Sequence, residues 1–196
     1  MNAQVARRLF SRSDYHRMAE AGILTQDDRV ELLDGEIVRM TPIGIPHASS
    51  VDRLTTFFVR RFSAQAIVRV QNPIVLSDWS EPQPDLALLA LRADFYADHH
   101  PEPHEVLLAV EVMDTSASHD RTLKLPLYAR APICEVWLID LRRQIIEVCR
   151  QPTPTGYRQI LVVERGQRLA PQAFPRRFLR VDDLLGPPRT SRRQRA

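Results

Sequence analysis

Hydrophobic and polar positions along this chain alternate between two periods, one suited to helices and one to strands. In the stretch from His47 to Phe62, the apolar residues Val51, Leu54, Phe58 and Phe62 recur every three or four positions, the spacing of one buried helix face. That spacing predicts an amphipathic helix of about four turns, with His47 near its start. A shorter helix is predicted from Asp14 to Gly22, with Ser13 as N-cap and Gly22 as its stop. A third, from Arg121 to Arg130, sets Leu123, Leu127 and Ala131 on one stripe, with Lys124 and Tyr128 beside it at i, i+4. Pro126 falls inside that helix, where it kinks the segment unless it belongs to the first turn.

Strand patterns fill the rest. Arg29 to Leu33 and Glu36 to Met40 flank Asp34-Gly35, a dipeptide that type I′ hairpins prefer. Ile67 to Gln71, Ile74 to Leu76, Leu86 to Leu91 and Glu105 to Met113 read as strands. So do Cys134 to Asp140, Gln144 to Cys149 and Tyr157 to Glu164, and the last ordered piece is Phe178 to Leu185. This interleaving predicts an α/β domain over residues 1–186, followed by a short tail.

Composition narrows the class. With 44% hydrophobic and 26% charged residues among 196, the chain is globular and large enough for one substantial core. Its longest apolar runs fall far short of the roughly 20 residues of a membrane span, and its first residues lack the apolar core of a secretory signal. A cytoplasmic protein is expected. Cys134 and Cys149 form neither a disulfide framework nor a zinc motif, and no glycine-rich phosphate loop is present. The formal charge of +3 is misleading, because residues 187–196 carry four arginines and no acid, which leaves about −1 for the rest. The tail reads either as a solubilising end or as a phosphate-attracting arm.

Several residues stand out chemically. The 27 basic residues are 26 arginines and one lysine, Lys124. Glu111 interrupts the apolar run Ala109-Val-Glu-Val-Met113, where a carboxylate is costly to bury unless paired or metal-bound. Asp85 stands at the mouth of an apolar strand, a place for either a turn residue or a rigidly held ligand. Glu31 shares a strand face with Leu33, and its side chain is either solvent-facing or directed at a site. His47 is either a surface residue at a helix start or a neighbour of whatever the sheet presents. The cluster of His99, His100 and His104 lies among prolines and acids in a predicted surface loop.

Taken together, Asp85 and Glu111 are two carboxylates suited to a hard cation such as Mg²⁺, which wants oxygen ligands. An ammonium nearby would stabilise the charge that develops on a phosphoryl group. Lysine suits that task as a compact charge that can also release a proton, which arginine cannot.

The order Glu31-Leu-Leu-Asp-Gly-Glu36, His47 opening a helix, Pro84-Asp85, Val110-Glu-Val112, Asp120…Lys124…Tyr128 and Glu135-Val-Trp-Leu-Ile-Asp140 resembles the Uma2 family (DUF820), endonucleases of the PD-(D/E)XK superfamily. The resemblance covers about residues 13 to 185. It implies a restriction-endonuclease-like core, a mixed central sheet flanked by helices, with a β-hairpin added at the N-terminal side. It also implies that Asp85 and Glu111 are ligands of Mg²⁺, for which Mn²⁺ can substitute, that Lys124 is the catalytic lysine, and that Glu31 and His47 stand beside the site. The superfamily's usual lysine lies two residues after the second acid, where this chain has Met113; the resemblance implies a lysine that has migrated to the following helix. The expected function is Mg²⁺-dependent cleavage of DNA without an organic cofactor, in an enzyme for which a homodimer is plausible. The alternative is a binding module for nucleic acid or protein on the same fold, with little or no catalysis.

Overall fold

The computed structural model describes residues 7–114 and 120–188. The first six residues, much of the predicted turn after Asp114 and the basic tail from residue 189 lie outside the described residues. Among those described, no helix is long and apolar enough to cross a membrane.

A helix α1 (Arg12–Glu20) and one 3₁₀ turn lead into an antiparallel hairpin of β1 (Val30–Leu33) and β2 (Glu36–Arg39). The long helix α2 (Ile45–Phe62) is followed by β3 (Ile67–Val70), β4 (Leu86–Leu89) and β5 (Val106–Met113). A π-helical turn, Asp120–Lys124, continues into α3 (Leu125–Arg130) and returns the chain to β6 (Glu135–Asp140). Two long strands follow, β7 (Ile145–Thr153) and β8 (Gly156–Glu164), then a small ladder of β9 (Arg168–Leu169) with β10 (Leu179–Arg180), and α4 (Val181–Leu185).

Strands β3 to β8 form one six-stranded sheet in sequence order. Every neighbouring pair is antiparallel except β5 and β6, which run parallel. That single parallel step needs a crossover, and the π turn with α3 supplies it. Alternation along each strand sends side chains to two opposite cores. Val51, Leu54, Phe58 and Phe62 of α2 pack with Leu88, Val110 and Trp137 on one face. Leu125, Leu127 and Tyr128 of α3 pack with Ala87, Met113 and Leu138 on the other. The fold is therefore the expected one: a mixed sheet between helices, with a hairpin added near its N-terminal end.

The local readings hold in most places and fail where side-chain bonds or prolines intervene. Asp34 and Gly35 both adopt positive φ, 50° and 79°, as a type I′ turn requires. Gly35 is also approached by Leu9, whose Cβ would lie 2.7 Å from an added methyl group. The cap of α1 is Ser11 rather than Ser13: its Oγ accepts from the Asp14 amide at 3.1 Å, and Asp14 accepts from the Ser11 amide at 3.1 Å. Those Ser11 hydrogen bonds hold the Asp14 carboxyl down at about 2. Ile74 to Leu76 is not a strand. Its amides bond to the carbonyls of Pro82, Pro101 and Ser80 in surrounding loops, because Pro73, Pro82 and Pro84 supply no N–H for a continuous ladder. In the crossover, Leu123 is 43% exposed while Leu127 is buried; the wider π turn breaks the stripe that regular helical spacing predicts. Pro126 is accommodated because it is the second residue of α3.

Both cysteines are free. Burial pushes the Cys149 thiol up to about 12, so it behaves as a small apolar side chain under α3.

The α2 face carries a direct test. The Phe58 ring is fully buried and meets Trp137 edge-on, with centroids 6.1 Å apart. Replacing it with alanine should cost about 3–5 kcal/mol in urea unfolding. Val59→Ala, one position round the helix and 43% exposed, should change stability by less than about 0.5 kcal/mol.

Candidate active site

Asp85, Glu111, Lys124, Glu31 and His47 line one cleft of about 50 Å³, together with Arg29, Gln71 and Gln83. Four separate parts of the chain are needed to build it.

The central acids come from the sheet. Leu86 of β4 pairs with Val110 of β5, and one more step along that antiparallel register sets Asp85 opposite Glu111 on one face. Asp85 lies just before β4 and is held on all sides. Its Oδ2 accepts from the Val112 amide at 2.8 Å and contacts His47 Nε2 at 3.0 Å, and its Oδ1 accepts from Gln71 Nε2 at 3.3 Å. His47 is available because α2 begins at Ile45, which places that residue in the first turn near the end of the sheet. Glu111 is 2% exposed, and its Oε1 accepts a 2.6 Å hydrogen bond from the Tyr128 hydroxyl of α3.

The hairpin supplies the third acid. Leu32 bridges to Glu81, which docks β1 on the loop before β4 and turns Glu31 inward to 2% exposure. Its Oε2 accepts from the Gln83 amide at 3.0 Å. Glu31 is thus directed at the cleft, the alternative to a solvent-facing strand position.

Lys124 closes the arrangement from the crossover. Its Nζ is 3.2 Å from Glu31 Oε2 and 3.4 Å from Glu111 Oε1, and it donates to the Gln83 carbonyl at 3.3 Å. At 5% exposure this ammonium is poorly screened, so its attraction to both carboxylates far exceeds that of a surface pair. Met113, two residues after Glu111, is fully buried in the α3-side core.

The turn bearing Lys124 is itself anchored. Arg121 binds Glu147 of β7 through two hydrogen bonds of 2.6 and 2.7 Å, and Arg143 adds a third at 2.8 Å. The hydrogen bond from Arg121 holds the Glu147 carboxyl below its ordinary value of 4.5, with Arg143 adding to the effect.

Among the described residues, no three His, Cys, Asp or Glu side chains are grouped as a metal cage. Mg²⁺ asks for less: one or two carboxylates and several retained waters. Asp85 and Glu111 meet that requirement. Glu31 and Glu111 flank the Lys124 ammonium, while Asp85 lines the same cleft beside His47. The cluster of His99, His100 and His104 does not join the site; His99 and His100 line a neighbouring cavity and His104 is exposed.

Sequence reasoning missed Gln71 and Gln83. Gln83 acts through its backbone amide and carbonyl, which no side-chain pattern reveals. Gln71 stands in left-handed backbone at φ 47°, and its one sequence signal is the nearby Asn72-Pro73 that ends β3. Tyr128 stands out in the sequence by its i, i+4 spacing from Lys124, which does not reveal it as the partner of Glu111.

The six-stranded mixed sheet between helices thus carries buried acids at one end and a lysine delivered by the crossover. The chain belongs to the Uma2 family, described as "Putative restriction endonuclease", whose model matches residues 12–182. A solved structure titled as a putative nuclease belonging to DUF820 from Anabaena variabilis ATCC 29413 superposes with a TM-score of 0.71. It is 13% identical, and the match covers 90% of this chain and 97% of that one, which carries the fold. No curated protein matches the chain.

Two expectations follow from the geometry. Tyr128→Phe removes a hydrogen bond to a buried carboxylate and should cost about 1.5–3 kcal/mol in chemical denaturation. Glu147 has a depressed folded value, so its contribution is present above about 4.5 and fades as pH falls below it. Glu147→Gln should therefore flatten the loss of stability between pH 6 and pH 3, roughly, in thermal melts.

Proposed function

We propose that this chain is a cytoplasmic, metal-dependent endonuclease that hydrolyses phosphodiester bonds in DNA. The observation that carries this reading is the position of the Lys124 ammonium, between the buried Glu31 and Glu111 carboxylates and in the cleft that Asp85 also lines. Membership of the Uma2 family supports the nuclease class.

Asp85 and Glu111 would hold Mg²⁺, with Mn²⁺ as a substitute. When bound, the cation would polarise a phosphoryl oxygen and lower the pKa of a coordinated water. His47 and Gln71 orient the Asp85 carboxylate from opposite sides, and Tyr128 fixes that of Glu111. Lys124 brings a positive charge to the place where phosphoryl oxygens gain negative charge, and its N–H groups can orient an attacking water. Glu31 and the Gln83 carbonyl set the direction of that ammonium. Preorganisation of this kind needs no rearrangement as charge develops. A two-fold dimer would place one such cleft on each strand of a duplex.

The second reading, a binding module without strong catalysis, is favoured by one observation: outside the basic tail the chain carries a net charge of about −1, whereas duplex binding ordinarily draws on a basic surface.

Supercoiled plasmid incubated in Mg²⁺ should be converted to nicked and linear forms, and EDTA should abolish the conversion. Asp85→Asn, Glu111→Gln and Lys124→Met should each slow it by about 100-fold or more, with folding checked by circular dichroism. Cleavage that survives unchanged in the Asp85 and Lys124 variants rejects the assignment. Retention of DNA in EDTA with no cutting in Mg²⁺ favours the binding module.

A further inference from the structure

Next to the catalytic cleft lies a second cavity, of about 500 Å³, lined by Arg12, His16, Arg69, Glu81, His99 and His100 among others. A wider cleft of about 1120 Å³ joins the two. It shares His16, Glu81 and His100 with the cavity, and Arg29, Gln71 and Gln83 with the catalytic cleft. The cavity and the two clefts therefore adjoin one another along this side of the molecule.

Arg69 is the distinctive residue along it. In β3 it pairs with Ala87, two residues beyond Asp85, so the two residues lie on the same face of the sheet as diagonal neighbours, their Cα atoms about 7–8 Å apart. Its guanidinium is held over the Tyr96 ring, 5.8 Å from the centroid. Its Nη1 is buried and has no hydrogen-bond partner. A buried cationic donor without an acceptor is unfavourable in the free protein and is relieved by an acceptor that a ligand brings.

The acids in this cavity are already engaged. Glu81 contacts His16 Nε2 at 2.9 Å, and Asp98 contacts His99 Nδ1 at 2.6 Å and Arg92 at 3.6 Å. Two residues that line the adjoining clefts, Arg29 and Gln71, adopt left-handed backbone at φ 45° and 47°, a strain that non-glycine residues accumulate at ligand sites.

We propose that Arg69, with Arg12 in the same cavity, forms a second phosphate subsite, which holds a backbone phosphate of a polynucleotide adjacent to the phosphate positioned at Asp85 and Glu111. The planar guanidinium fork matches two phosphate oxygens at once. This inference rests on the nuclease reading and deepens it: the substrate is a polynucleotide strand gripped at two phosphates rather than an isolated diester.

The test uses the full chain and a fluorescein-labelled single-stranded DNA oligonucleotide, with anisotropy measured in EDTA over a range of salt concentrations. Arg69→Gln should weaken binding about tenfold and reduce the slope of log affinity against log salt by about 0.7. Arg12→Gln should act in the same direction. Arg176→Gln, which removes the same charge from an exposed position elsewhere, should leave binding at the wild-type level. In cleavage assays Arg69→Gln should raise KM more than it lowers kcat. Equal affinity and equal salt slope for wild type and Arg69→Gln overturn the subsite, as does a wild-type chain that retains no oligonucleotide. Arg69-dependent binding in a protein that cuts nothing upholds the subsite and rejects the nuclease reading, whereas cleavage with Arg69-independent binding does the reverse.

Discussion

A single buried ammonium holds three otherwise separate parts of this molecule in register. Lys124 reaches Glu31 on the hairpin, Glu111 on the sheet and the Gln83 carbonyl in the loop that precedes β4. Two carboxylates at 2% exposure would repel each other and pay for desolvation with nothing in return. The lysine between them makes their burial tolerable, and the Tyr128 hydroxyl and Gln83 amide satisfy remaining lone pairs. The hairpin's docking therefore depends on the same ion cluster that lines the cleft. In this protein the placement of an N-terminal element and the chemistry of the site are one electrostatic problem.

The charges of the cluster bear on the proposed cation. Two acids, Glu31 and Glu111, face the Lys124 ammonium, and Asp85 stands against His47, whose Nε2 lies 3.0 Å away and which adds positive charge only when protonated. Hydrogen bonds to Asp85 come from a backbone amide and the Gln71 side chain, which orient a carboxylate without neutralising it. The Asp85 and Glu111 carboxylates are thus both held in fixed directions, which is what the proposed Mg²⁺ site would ask of them.

Much of this was legible in the residues, for reasons that differ by element. The stripe of α2 and the Asp34-Gly35 turn are local properties, and local periodicity and turn chemistry state them directly. Lys124 was conspicuous by its solitude among arginines, and Glu111 by its apolar neighbours. Other features required tertiary knowledge. Which way Glu31 points depends on the bridge between Leu32 and Glu81, a contact across 49 positions that no pattern in β1 encodes. The segment Ile74 to Leu76 is apolar enough to be a strand, yet its hydrogen bonds go to loops. Arg69 reads as an ordinary arginine in an alternating strand until Tyr96 and the cavity are seen beside it.

The route by which the lysine arrives has a physical consequence. A lysine two residues after the second acid would share its strand face, and the pleat would fix the spacing between amine and carboxylate. Here that position is Met113, fully buried beneath α3, where an ammonium would be far more costly than a thioether. The amine descends instead from a π turn, whose wider winding gives a less regular backbone than a strand. Its position must then be set from outside the turn. Arg121 provides that control, because its two hydrogen bonds to Glu147 tie the turn to β7, and β7 is rigid through its ladders with β6 and β8. The lysine's reach to Glu31 and Glu111 is thus set by two strands at once: β5 beneath it carries Glu111, and β7 holds the turn from which it comes.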